Sequence, residues 1–123
     1  MKIAITTSGK DLDAPVDPRF GRAKSFVIYD TESDQWSVLD NAQNLNAAQG
    51  AGIQAATAVV KAGAEAVLTG NCGPKAFRAL SAGRVKVYAG VSGTVREAVE
   101  KFLSGTLRPA AQASVGEHAG MGL

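Results

Sequence analysis

A chain of 123 residues, 46% hydrophobic and 20% charged, has room for one core but not for a cleft between two lobes, and it is too apolar for a disordered chain. Thirteen Lys and Arg against eleven Asp and Glu leave a formal charge of +2, short of the excess a dedicated nucleic-acid binder carries, so any anion must be recognised locally. One cysteine, Cys72, and one histidine, His118, exclude an intrachain disulfide and thiolate-rich zinc or iron–sulfur sites, and exclude a Ser-His-Asp triad unless the tail histidine folds back.

Met1 leads directly into alternation around Ile3 and Ile5, which predicts a strand over 2–6 with neither a leader nor a membrane span before it, and hence a cytoplasmic protein. The next strand signal, Phe26-Val27-Ile28-Tyr29 within 25–29, follows a connection through residues 7–22 that is long for a compact domain, and such loops usually carry function. A polar turn at 30–35 and a strand over 36–39 complete a hairpin. Residues 46–62 read as a helix rich in small residues, with Ala48, Ala51, Ala55, Ala58, Val59 and Ala62 at helical spacing and Gly63 as a left-handed stop. A buried-type strand over 66–69 precedes a helix opened by Pro74, with Phe77 and Leu80 inward and Gly83 at its end. A strand over 85–88 then leads to the best helix signal in the chain. Thr94 and Glu97 form a capping box there, Val95, Ala98, Val99, Phe102 and Leu103 share one face, and Gly105 ends the run. The expected domain is residues 1–105, followed by a flexible tail over 106–123.

The order β-β-β-α-β-α-β-α, with right-handed crossovers, predicts an α/β fold: a five-stranded mixed sheet of order 3-2-1-4-5 with helices on its faces, a ribonuclease-H-like layout. Strands one, three, four and five then end on one edge, where ligands usually bind in open α/β folds. The loops meeting there contain Ser8, Lys10, Arg19, Phe20, Gly21 and Arg22, then Gly70, Asn71, Cys72 and Gly73, then Val91, Ser92, Gly93 and Thr94, with Gly50-Ala51-Gly52 close by. Helix N-termini, glycines and the cations Lys10, Arg19, Arg22 and Lys24 suit an anion cradle. Taken singly, each loop reads rather as a turn whose cations Asp11, Asp13 and Asp17 neutralise; the convergence of the set reverses this and favours the cradle.

Enzymatic readings fare less well. A two-metal nuclease needs carboxylates on the central strands, and 2–6 and 66–69 carry none. Gly50-Ala51-Gly52-Ile53-Gln54-Ala55 matches a dinucleotide pattern but follows no strand directly, so it is taken as helix packing. Asp11, Asp13 and Asp17 lack the spacing of a calcium loop. Cys72 stands just before a helix start, which predicts a lowered thiol pKa and a candidate ligand for a soft metal, with a small turn-filling residue as the alternative. His118 and Met121 are further candidate ligands on the tail, or simply tail.

Four stretches, Val16 to Arg22, Gly50 to Ala56, Leu68 to Phe77 and Gly90 to Val95, together resemble the dinitrogenase iron–molybdenum cofactor-binding family over residues 1–105. The resemblance implies a ribonuclease-H-like fold and non-catalytic carriage or storage of a molybdenum-containing metal–sulfide cluster. That cluster would be a molybdenum–copper sulfide or a relative of the iron–molybdenum cofactor, held without covalent protein ligands. On this reading Lys10, Arg19 and Arg22 supply charge, Gly70, Asn71, Gly73, Gly93 and Thr94 supply backbone donors, and Phe20 supplies an apolar wall. Family members commonly carry another small or apolar residue at position 72, so the resemblance gives Cys72 no general role, and Cys72 and His118 stay candidate metal ligands only. The expected partners are the inorganic cluster and an unidentified protein, with no nucleic acid or membrane, in a monomer or weak dimer. Two rivals remain open: a regulatory or scaffold module of the same fold without a cluster, and a small-molecule enzyme using Cys72, for which no base is placed nearby.

Overall fold

The computed structural model describes residues 1–42 and 50–113. Its sheet is built outward from β1 (Lys2–Thr7), whose residues from Ile3 onward are all buried, because both of its faces are covered. β1 pairs antiparallel with β2 (Ser25–Asp30), and β2 pairs antiparallel with β3 (Trp36–Asp40). On its other side β1 pairs parallel with β4 (Ala64–Leu68), and β4 pairs parallel with β5 (Lys86–Tyr88), giving the order β3-β2-β1-β4-β5. The predicted sheet order and mixed character therefore hold. The β2–β3 turn is tightened by Asp34, which adopts φ +59 and accepts a hydrogen bond from the Tyr29 hydroxyl at 2.7 Å; this bond raises the Tyr29 pKa.

Pleating divides the core in two. Ala4, Phe26, Ile28, Val67 and Val87 meet α1 (Ala51–Lys61) and α2 (Pro74–Ala82) on one face. Ile3, Ile5, Val27, Ala66 and Leu68 meet α3 (Val95–Leu103) on the other. The alanine side of α1, Ala55 and Ala56, is fully buried and lets that helix lie close to the sheet and to α2.

Several boundaries move for local reasons. α1 begins at Ala51, not at 46: Gly50 has φ +75, a left-handed conformation that cannot continue a right-handed helix. Residues 46–49, with Ala48, lie outside the described residues. β4 starts at Ala64 directly after Gly63, whose φ of +85 turns the chain out of α1. β5 starts one residue later than predicted because the Val85 N–H donates to the Leu80 carbonyl and closes α2. The segment after α3 does not trail away. Leu107 packs on the α3-side core, and the Ala110 N–H donates to the Val87 carbonyl at 2.7 Å, so residues 107–110 turn back onto β5. The remainder of the predicted tail, 114–123 with His118 and Met121, lies outside the described residues. Among those described, no helix is long and apolar enough to cross a membrane.

Candidate functional site

The long connection from β1 to β2 folds onto the carboxyl edge of the sheet and is fastened there by short polar side chains. Thr6 is fully buried; its hydroxyl donates to the Asp17 carbonyl at 2.8 Å and lies 3.0 Å from the Thr69 hydroxyl, while the Asp17 N–H returns a bond to the Thr6 carbonyl at 2.9 Å. The Thr7 hydroxyl donates to the Pro15 carbonyl and accepts from the Gly9 N–H. The Asp17 carboxylate accepts the Arg19 N–H at 2.9 Å, and the Phe20 N–H donates to the Asn71 carbonyl at 3.0 Å. Gly70 is required by a close approach, since a Cβ there would stand 2.6 Å from the Pro18 Cα. The stretch from Val16 to Arg22 is thus held in one place although it contains only a three-residue 3₁₀ turn, Phe20–Arg22.

That loop divides the edge into two halves of different character. On the α3 side, the Glu97 N–H donates to the Thr94 hydroxyl at 3.1 Å and the Thr94 N–H donates to the Glu97 carboxylate at 2.8 Å, which completes the capping box. Those bonds from Thr94 hold the Glu97 carboxyl below its ordinary pKa. The next two donors are also taken, Val95 by the Ala14 carbonyl and Arg96 by the Leu12 carbonyl. Val91 is buried with its N–H on the Thr69 carbonyl, and the Gly93 carbonyl accepts from Val16. Ser92 and Gly93 are exposed, but the helix start beside them has spent its donors.

On the α1 and α2 side, the N-cap residues are Gly50 and Gly73, and neither helix has a side-chain cap. Gly21 presses on α1 closely enough that a Cβ there would lie 3.0 Å from the Gly52 Cα, and a Cβ on Gly52 would lie 3.2 Å from the Ala76 Cβ. Three backbones meet through missing side chains and leave an open pocket of about 360 Å³, lined by Gly21, Gly52, Gly73, Pro74, Lys75 and Ala76. Arg19 and Arg22, on either side of Gly21 in the chain, are exposed. Backbone N–H groups at uncapped helix starts, a lysine and apolar Cβ surface are the components of a site for a soft, bulky anion.

The remaining residues singled out in the sequence fall as follows. Ser8, Lys10 and Asn71 are exposed on the same edge, whereas Gly70 is pressed beneath Pro18. Phe20 is not a wall of the edge: it is 1% exposed and packs in the core against Phe26, with ring centroids 5.4 Å apart and planes tilted by 43°. Cys72 also faces inward, 1% exposed, with its Sγ 3.8 Å from the Gly73 carbonyl. Burial pushes its thiol up to about 11, opposite to the lowering expected from a helix start, because removal from water outweighs the weak field of one uncapped turn. No three of His, Cys, Asp and Glu come together as a metal site among the described residues. Pro74, Lys75 and Ala76 line the pocket without having been singled out as site residues, and Gly52, placed near the edge by its sequence, was assigned to helix packing. The usable signal was Gly52, a second glycine in the first turn of an alanine-rich helix, whose absent Cβ both permits packing and leaves space.

Residues 1–105 match the family described as dinitrogenase iron-molybdenum cofactor. Among solved structures, the apo form of the orange protein from Desulfovibrio gigas is similar with a TM-score of 0.90 and 45% identity, over 92% of this chain and 95% of that one. A NifB-like protein from Thermotoga is similar with a TM-score of 0.77 and 41% identity, over 88% and 91% respectively. An uncharacterized protein of Methanocaldococcus jannaschii is 28% identical over 87% of this chain and 89% of its own length. With nearly the whole described fold inside the matched region, the chain belongs to the dinitrogenase iron–molybdenum cofactor family.

Proposed function

We propose that the protein binds and carries, or stores, a molybdenum-containing metal–sulfide cluster without catalysing a reaction on it, and that the cluster rests on the α1 and α2 half of the sheet edge. The observation that carries this reading is the pocket where Gly21, Gly52 and Gly73 meet at two uncapped helix starts. A thiometallate brings its own sulfide ligands, so what the protein must supply is N–H donors, cationic charge and apolar surface. Lys75 lines the pocket, and exposed Arg19 and Arg22 flank its Gly21 in sequence. Cys72, protonated and interior, is a packing residue in this account and not a ligand. Molybdenum is the favoured metal because the chain belongs to the iron–molybdenum cofactor family, and copper is its proposed companion in the cluster.

The test is reconstitution. Purified protein is mixed with tetrathiomolybdate and copper(I), passed through a desalting column, and examined by visible absorption and metal analysis. A coloured protein with stoichiometric molybdenum is expected, and Cys72→Ala should give the same spectrum. A colourless, metal-free product would overturn the reading.

A further inference from the structure

The carboxylates of this chain are unevenly placed. None falls between Glu65 and Glu97, a stretch that carries Lys75, Arg78, Arg84, Lys86 and Arg96, and the returning segment adds Arg108 with no acid between Glu100 and residue 113. Lys75, Arg78, Arg84, Lys86 and Arg108 are exposed, and among the described residues none of them makes an ion pair. Arg96 is different, being paired with Asp13 at 3.2 Å. Along α2, the β5 edge and the segment that returns to it, the chain therefore carries exposed cations that have no ion-pair partner among the described residues.

Within this surface lies a groove of about 420 Å³, with Phe77, Val85, Val87 and Pro109 among its apolar lining and Arg84 and Lys86 as its cations. One wall is pinned by the Ala110 N–H bond to the Val87 carbonyl. Arg84 has φ +64, a left-handed position that glycine occupies at little cost, yet the residue there is an arginine and it lines the groove. Bare cations around an apolar trough favour a ligand that is acidic and also carries a large side chain. A nucleic-acid backbone supplies the charge but has no use for the trough.

We propose that this groove is a docking surface for an acidic protein segment that seats one or two large apolar side chains among Phe77, Val85 and Val87 and sets its carboxylates against Arg84 and Lys86. The inference goes beyond cluster binding and does not require it, although the two sites share a helix: α2 gives Lys75 and Ala76 to the pocket at its start and Phe77 and Ser81 to the groove farther along. A partner docked here stands within one helix length of the proposed cargo.

The test uses the full chain, labelled with ¹⁵N and titrated with a synthetic peptide of Glu and Asp residues flanking a Leu-Phe pair, at low and at physiological salt. Amide shifts are expected at residues 77–87, Arg108 and Ala110. Binding should weaken at least about tenfold in the double variant Arg84→Gly with Lys86→Gln, and should be unchanged in Lys61→Gln. Glycine suits the backbone at position 84, so the double variant is not expected to fail by misfolding, and its thermal unfolding checks this directly. Absence of peptide binding, unchanged affinity in the double variant or shifts confined to another face would overturn the proposal. So would a single-stranded oligonucleotide that displaces the peptide at lower concentration. The same double variant should still take up thiomolybdate with copper, so loss of docking and loss of cargo binding can be told apart.

Discussion

α3 begins with four successive N–H groups accepted by Glu97, Ala14, Leu12 and Thr94, whereas α1 and α2 begin behind glycines with no side-chain cap. All three starts lie on one sheet edge, and those of α2 and α3 follow glycine-rich loops. The difference shows that a helix N-terminus at a switch point is not a binding site by position alone. A capped start spends its donors on stability, and an uncapped start beside missing side chains keeps space and polarity for something else.

Phe20 anchors the loop that carries Gly21 over α1, and Phe20→Ala should cost about 3–5 kcal/mol in urea unfolding, as for a large core aromatic. A loss near zero would return the ring to the surface. Cys72 lies under the open half and supplies a pH-dependent test. Its thiol is raised from 9.0 to about 11 in the folded state, so its contribution to stability is complete below about pH 9 and declines as the pH rises from there through about 11, at up to about 1.4 kcal/mol per pH unit. Thermal unfolding followed across that range should show this loss, and Cys72→Ala should flatten it. In the same state iodoacetamide should label the native thiol far more slowly than the urea-unfolded one.

Smaller effects sharpen the division between the halves. Thr94→Ala removes the cap of α3 and should cost about 1 kcal/mol while leaving affinity for the cluster unchanged, because that side is closed already. Lys75→Gln should do the reverse, with stability within about 0.5 kcal/mol of the parent and weaker cluster binding, read by chemical denaturation and by absorbance titration. If Thr94→Ala alone impaired uptake, the assignment of the two halves would be inverted.

Much of the fold was legible because its signals are local. Alternation around Ile3 and Ile5, Pro74 at a helix start and the Thr94–Glu97 box each fix an element from a few neighbouring residues, and connection length with crossover handedness then fixes the sheet order. The start of α1 was missed because the alanine pattern runs through Gly50, and only its left-handed φ reveals the break. The site was legible as an edge but not as a half. Whether Phe20 and Cys72 face solvent depends on Phe26 and the α1 and α2 core, which are distant in sequence. Whether the α3 donors are free depends on the carbonyls of Leu12 and Ala14, more than eighty residues earlier. Gly52 shows the same limit, since its role requires Gly21 and Ala76 together.

Which half of the edge takes the cluster is read by amide mapping of ¹⁵N-labelled protein during addition of tetrathiomolybdate with copper(I). The largest perturbations are expected at Gly21, Gly52, Gly73, Lys75 and Ala76, with Ser92, Gly93 and Thr94 nearly unmoved. Perturbations centred on Ser92, Gly93 and Thr94, with the three glycines of the pocket unaffected, would contradict it.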